Sequence, residues 1–211
     1  ALGVDTQVYQ YTEEDLTPEM IKEGAKAELE QFDTYKVWGS DFEKAPPKGA
    51  VVMDAKYFSK PKVKNVKGKP VLIAKGRLTP KGFQDPEKYL HRVDSPTVAR
   101  WVFYVVLMVG VSLGWEFIKA DISGAFLQGE ELSRDNVWVR MPQELVDLGL
   151  VPPDKRYRRV VKAVYGMNEA PRKWWRALTE TAKALGFAPS LLDPCLLLLQ
   201  EEGRVVCVIM V

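Results

Sequence analysis

Segments with the two-residue alternation of a strand and segments with the spacing of a helix interleave along this chain, with a strand pair toward each end. That interleaving confines the fold to an α+β class. Residues 18–32 read as a helix: Thr17 suits its cap, Pro18 its first position, and Ile21, Ala25, Leu29 and Phe32 recur at helical spacing beneath an acidic surface. Residues 51–58 and 71–78 read as strands, and the basic, turn-rich 59–70 between them suggests a hairpin. Ser95 and Pro96 suit a second helix start and Gly114 its stop; Val102, Val105, Val106, Val109 and Val111 would suit a strand equally, but the length favours a buried helix. Residues 115–121 then read as a strand that delivers Asp121 at its end, followed by a Ser123, Gly124 and Ala125 turn able to open a helix. A short strand at 137–141 follows. Pro171 begins a helix with Trp174, Leu178, Ala182 and Leu185 on one face, ended by Gly186, and residues 196–199 and 205–211 make the last hairpin.

The longest uncharged run, residues 101–115, is shorter than the roughly 20 residues that cross a bilayer, and the acidic N-terminus lacks a signal peptide's basic and apolar regions. The expectation is an intracellular, cytoplasmic protein that is not secreted and has no membrane partner. Cys195 and Cys207 are too few for a disulfide framework or a thiolate zinc site and read as buried apolar fillers; His91 reads as a solvated loop residue. Any metal chemistry must therefore use oxygen ligands. The apolar run 205–211 stops without a turn or polar closing signal, as in a fragment cut through a core strand.

A formal net charge of +2 conceals a strong asymmetry. Residues 1–43 carry 11 acidic and 3 basic side chains, whereas residues 44–81 carry 10 lysines and Arg77 against Asp54 alone. Residues 155–176 add 8 basic side chains against Glu169. Two basic stretches around an uncharged middle suit a protein that holds a polyanion, because each neutralised phosphate releases counterions. The plainer reading is a solvated lysine-rich hairpin.

An ordered set of motifs stands at these positions. Lys75-Gly-Arg-Leu-Thr-Pro-Lys-Gly-Phe83, Ser95-Pro-Thr-Val-Ala-Arg100, Lys119-Ala-Asp-Ile-Ser-Gly-Ala-Phe-Leu-Gln-Gly129, Val137-Trp-Val-Arg-Met-Pro142, Val164-Tyr-Gly-Met-Asn-Glu-Ala-Pro-Arg-Lys-Trp174 and Asp193-Pro-Cys195 follow one another along the chain. Together they resemble the successive blocks of a copia-type LTR-retrotransposon reverse transcriptase, over residues 17–211. Gly76 and Pro80 are unusual within the first block, and Asn168-Glu169 replaces the usual Lys-Gln.

The resemblance implies a right-hand polymerase fold: an N-terminal extension over 1–16, a fingers-like region over 17–114 and an incomplete palm over 115–211, fingers and palm interleaved within one reverse-transcriptase domain fragment. It implies an RNA-directed DNA polymerase fragment of a retrotransposon polyprotein, with an RNA/DNA template-primer and deoxynucleoside triphosphates as partners. The rest of the palm, the thumb and ribonuclease H would complete the polyprotein, and virus-like particles would be its setting. Two Mg²⁺ ions would bind the Asp121 carboxylate and the Ile122 carbonyl, together with an Asp-Asp pair that follows a strand like 205–211 in this family. Asp193, before a proline, reads as a turn initiator and no substitute for that pair. Lys75, Arg77 and Lys81 on the second strand, the small Ser123, Gly124 and Ala125, and Tyr165 and Gly166 would meet the nucleotide. Phe126 would lie beneath its sugar and exclude a 2′-hydroxyl. Lys60, Lys62, Lys64 and Arg172 would touch nucleic acid, while Trp101, Trp174 and Trp175 suit core packing better than base stacking. A catalytically dead relic that keeps only the fold and nucleic-acid affinity is the alternative, and an unrelated basic binding module a third.

Overall fold

The computed structural model describes residues 11–90 and 96–211; His91 and Ser95 lie outside them. The chain divides into two compact units, and neither is a single stretch of sequence.

The first unit joins the residues up to Asp85 to Arg134–Val161. Helix α1, Pro18–Thr34, starts where its sequence directs: the Thr17 hydroxyl accepts the Met20 N–H at 3.2 Å, and proline occupies the first turn, where an N–H has no helical partner. It buries Ala25 and Phe32, and Glu28 beside them. Strands β1, Val51–Val66, and β2, Lys69–Pro80, form an antiparallel hairpin much longer than the sequence suggests. Segment 59–70 is mostly strand, because a lysine at every second position satisfies a strand with one solvated face as well as an apolar residue satisfies a buried one. The turn shrinks to Lys67 and Gly68, both at positive φ (51° and 81°), the backbone a two-residue hairpin needs.

The start of β1 pairs in parallel with β3, Val137–Arg140, which pairs antiparallel with β4, Tyr157–Arg159, giving the order β2-β1-β3-β4. Parallel strands need a long crossover, and this pairing draws residues 134–161 into the N-terminal unit. Met53, Leu78, Val137, Val139 and Met141 fill the core, with Leu145 from the short helix α3, Gln143–Asp147. Part of the second basic stretch is consumed here. Arg156 donates to the Met141 carbonyl, Arg159 to that of Gly39, and Arg158 to that of Ser40 while lying 4.7 Å from the Trp38 ring and 4.8 Å from that of Phe42. These arginines tie loops together.

The second unit comprises Pro86–Ser133 and Lys162–Val211. Its first helix, α2, spans Arg100–Ser112. It begins later than Pro96, because the Val98 N–H donates to the Val211 carbonyl (2.7 Å) and the Ala99 N–H to Asp193 Oδ2 (2.8 Å), committing that backbone elsewhere. The helix is not buried. Val102 and Gly110 are covered, whereas Trp101, Tyr104, Met108 and Val111 are more than half exposed. Residues 115–121 do not form the expected strand: no strand among the described residues pairs with them, and the Trp115 N–H instead donates to the Gly110 carbonyl of α2 at 2.8 Å. A Cβ on Gly110 would stand 2.7 Å from the Phe117 ring, so the missing side chain lets Trp115 and Phe117 fold back onto α2.

Helix α4, Ala170–Ala184, ends before Gly186 at φ 91° and buries Ala170, Thr179 and Ala182, but Leu185 lies exposed beyond its end. Strands β5, Ala188–Pro189, β6, Leu196–Glu201, and β7, Arg204–Met210, form a sheet in that order, leaving β7 at an edge. Cys195 is buried as expected, while Cys207 on β7 is exposed, and they form no disulfide. Asp193 does initiate a turn, accepting the Cys195 N–H at 2.8 Å. No helix among the described residues is long and apolar enough to cross a membrane.

Candidate functional site

The candidate residues fall into one group in each unit. In the first, the hairpin register places Lys60 directly opposite Lys75 and Phe58 opposite Arg77, with Lys62 and Lys64 continuing the same face. Residues proposed separately for nucleic acid and for nucleotide thereby share one surface. Like charges set opposite each other destabilise a strand pair, and a bound polyanion removes that cost. Leu78, of opposite parity, is fully buried as the alternation requires.

Arg77 has a partner that its sequence position does not reveal. Its Nη1 donates to Glu28 Oε2 at 3.2 Å, while Glu28 Oε1 accepts the Leu78 N–H, also at 3.2 Å. Burial pushes the Glu28 carboxyl above its ordinary value, against the Leu78 N–H and the Arg77 charge, which favour the ionised form. Glu28 shares a helix face with Gly24 and Ala25, and that spacing was the one sequence signal of its inward position.

Lys81 lies just past β2, and its backbone N–H donates to the Asp54 carbonyl at 2.8 Å. Asp54 is itself bound by Arg140 Nε at 2.7 Å and by the Gln84 side chain. Burial alone would raise the Asp54 carboxyl, but Arg140 and Gln84 outweigh it and hold it below its ordinary value. This network fixes the turn that carries Lys81.

In the second unit, Asp121, Ile122 and Ser123 are exposed on irregular backbone, and Asp121 is therefore not strand-borne as expected. Gly124, at φ 65°, turns the chain into a single 3-10 turn, Ala125–Gln128, where the sequence suggests a longer helix. One turn has too small a dipole to hold an anion strongly. Gln128 braces it by donating to the Ser123 carbonyl at 2.9 Å. The half-buried Phe126 meets Tyr165, their ring centroids 5.3 Å apart and tilted by 55°, which joins two motifs distant in the chain. Gly166, at φ 90°, supplies the bend beside Tyr165.

Helix α4 backs this turn: Lys173 Nζ donates to the Glu131 carbonyl at 2.6 Å, and Arg176 pairs with Glu130 at 3.3 Å. Arg172 lies 4.5 Å from the Trp175 ring. Glu169 is buried at the start of α4, so its replacement of a glutamine does not place a negative charge on the surface.

The resemblance implies a pair of divalent ions, and two such ions about 3.5 to 4 Å apart need several anionic ligands. The residues here do not fit such a site by themselves. Among the described residues no cluster of three or more metal-ligating side chains surrounds Asp121 or lies elsewhere.

The family model described as "Reverse transcriptase (RNA-dependent DNA polymerase)" matches residues 42–211. The chain belongs to the reverse transcriptase family. It is 34% identical, over 133 residues, to the Retrovirus-related Pol polyprotein from transposon RE2 of Arabidopsis thaliana, covering 63% of this chain and 9% of that protein. Its identity to the corresponding RE1 polyprotein of the same plant is 32% over the same shares. The polyprotein from transposon TNT 1-94 of Nicotiana tabacum is 26% identical, over 91% of this chain and 15% of its own length. The copia-type retrotransposon resemblance is thereby borne out. This reverse transcriptase chain spans about a tenth of the length of the Arabidopsis polyproteins. No solved structure matches it.

Proposed function

We propose that this chain supplies the fingers and part of the palm of an RNA-directed DNA polymerase within a copia-type retrotransposon polyprotein. The fingers are assigned to the unit that holds the basic hairpin, and the palm to the unit that holds Asp121. The meeting of Phe126 and Tyr165 carries this reading, because it gathers two motifs of the family around the loop headed by Asp121.

Under it, Lys60, Lys62, Lys64 and Arg172 hold the template-primer by its phosphates, and Lys75, Arg77 and Lys81 neutralise the incoming triphosphate. Ser123, Gly124 and Ala125 leave room for the nucleotide, Tyr165 and Gly166 flank it, and Phe126 fills the space of a ribose 2′-hydroxyl. Asp121 and the Ile122 carbonyl are this chain's contribution to a pair of Mg²⁺ ions whose other ligands come from elsewhere in the polymerase; no chemical step is assigned to Asp121 alone. The apolar face of α2, uncovered within its unit, suits packing against the rest of the polyprotein, with thumb and ribonuclease H beyond. A cytoplasmic setting, in virus-like particles, accompanies this reading.

Primer extension by the intact polymerase, by its Asp121→Asn variant and by the 211-residue chain alone provides the test. Template-dependent synthesis by the intact protein alone supports the reading. Extension that survives Asp121→Asn overturns the role of Asp121. An intact protein that binds template-primer but adds no nucleotide is the degenerate relic.

A further inference from the structure

Glu28 lies where an acidic surface helix should keep its charge in water, yet its side chain is 4% exposed. Two contacts hold it there. One carboxylate oxygen accepts the backbone N–H of Leu78 on β2, the edge strand, and the other accepts from Arg77 Nη1. A buried carboxylate costs stability unless it is paired and hydrogen-bonded, so the position calls for both partners.

The approach is set by backbone. Gly24, one helical turn before Glu28, lies against β2, and a Cβ on Gly76 would stand 2.5 Å from the Gly24 carbonyl oxygen. At that separation the Glu28 side chain reaches the strand edge, and Arg77 turns back toward it from the face it shares with Lys75.

We propose that Glu28 is a positioning residue for Arg77, its carboxylate fixing the guanidinium at the edge of β2 in the orientation that meets a triphosphate. The inference rests on the reading of Arg77 as a triphosphate contact. A guanidinium carries five N–H donors, so a bond at Nη1 and recognition of a phosphate are compatible. Arg77 keeps 27% of its side-chain surface exposed, whereas Glu28 is held from a second side by Leu78 and cannot follow the guanidinium outward. Glu28 is thus a support and not a rival anion that must be displaced.

The test is a double-mutant cycle on the whole chain, with inorganic tripolyphosphate and a deoxynucleoside triphosphate as probes, read by calorimetry. Glu28→Gln keeps the acceptor for Leu78 and the shape, and removes the charge from Arg77. It should weaken triphosphate binding about tenfold, the magnitude of one charge-assisted hydrogen bond. Arg77→Ala should weaken it as well, and the double variant should bind no worse than Arg77→Ala. Order parameters of the Arg77 Nε–H, from NMR, should fall in Glu28→Gln without any ligand present.

Binding by Glu28→Gln that equals or exceeds that of the native chain overturns the proposal, as does an Arg77 side chain equally ordered in both. Triphosphate binding that Arg77→Ala leaves unchanged overturns the nucleotide role of Arg77 and this inference with it. Loss through misfolding is distinguished by melting temperature and by a Glu28→Gln effect that persists in the Arg77→Ala background.

Discussion

Gly24 of α1 and Gly76 of β2 face each other backbone to backbone, with no side chain between them. Gly76 is one of two residues, with Pro80, that are unusual within their block, and Gly24 accounts for it: a methyl group there would meet the Gly24 carbonyl at 2.5 Å and the Tyr57 hydroxyl at 3.0 Å. The Tyr57 hydroxyl donates to the Ile21 carbonyl at 3.2 Å, so helix and hairpin are joined at the same level.

Gly76→Ala should therefore destabilise the protein. Replacing glycine by alanine gains about 0.4 to 1 kcal/mol by restricting the unfolded chain. Overpacking costs roughly 1 to 3 kcal/mol and here meets backbone, which cannot rotate away, so the cost wins. Urea unfolding should give a net loss of about 1 to 2 kcal/mol. A stability equal to that of the native chain would show that the contact relaxes cheaply.

Glu28 and Asp54 should pull the acid limb of the stability curve in opposite directions. Burial raises the Glu28 carboxyl above 4.5, so its stabilising contribution is complete below that value and is lost as pH rises through the higher folded value. The Asp54 carboxyl is held below 3.8, so its contribution is present above that value and is lost as pH falls through the lower folded one. Relative to the native chain, Glu28→Gln should gain stability as pH rises from the ordinary glutamate value through the higher folded one, whereas Asp54→Asn should lose it as pH rises from the lower folded value to the ordinary aspartate one. Chemical denaturation at those pH values measures both differences, and a constant Glu28→Gln difference would contradict the buried ionised carboxylate.

Local signals made much of this legible. Thr17 and Pro18 start α1, the glycine after α4 stops it, and Leu78 points inward by parity, each readable within a few residues. What failed depends on distant partners. Among the described residues, 115–121 have a strand's alternation but no neighbouring strand to pair with, and α2 has a core helix's composition but buries only Val102 and Gly110. The hairpin is longer than its sequence suggests because Pro61 and the lysines resemble a loop, although Pro61 sits in β1 opposite Ala74 and tolerates the lost N–H. The Glu28–Arg77 pair joins positions 49 apart, and no local pattern encodes such a pair. In the candidate site, neither the contact between the Phe126 and Tyr165 rings, 39 positions apart, nor the exposed setting of Asp121 is encoded in a local pattern.

The lysine face of β1 should bind nucleic acid chiefly through phosphates. Lys60, Lys62 and Lys64 are exposed on one face, opposite Lys75 and its neighbours on β2, so a backbone that follows the hairpin meets all of them. Replacing the three with glutamine should weaken duplex binding at low salt and reduce the log-log salt slope by about 0.9 per lost phosphate contact on B-DNA, less on single strands. Fluorescence anisotropy across a salt series reads the slope. An unaltered slope and affinity would return the hairpin to a strand edge kept soluble by charge.

Phe126 should select the sugar, and its contact with Tyr165 sharpens how that is tested. The ring is half-buried, so truncation removes both the packing against Tyr165 and the surface left open toward a ligand. In the intact polymerase, Phe126→Val should raise kcat/KM for ribonucleotides while that for deoxynucleotides changes less; each tenfold loss of selectivity corresponds to about 1.4 kcal/mol of differential transition-state binding. Tyr165→Leu leaves the Phe126 ring in place but deprives it of an aromatic neighbour, a contact worth about 0.5 to 1.5 kcal/mol, so its selectivity loss should be the smaller of the two. A Phe126 that only packs behaves otherwise: truncation then costs about 3 to 5 kcal/mol at most and depresses both substrates together. Steady-state kinetics with both nucleotide types, set beside melting temperatures, separates the cases. An unaltered substrate ratio with a lowered melting temperature would assign Phe126 to the core and remove it from the sugar site.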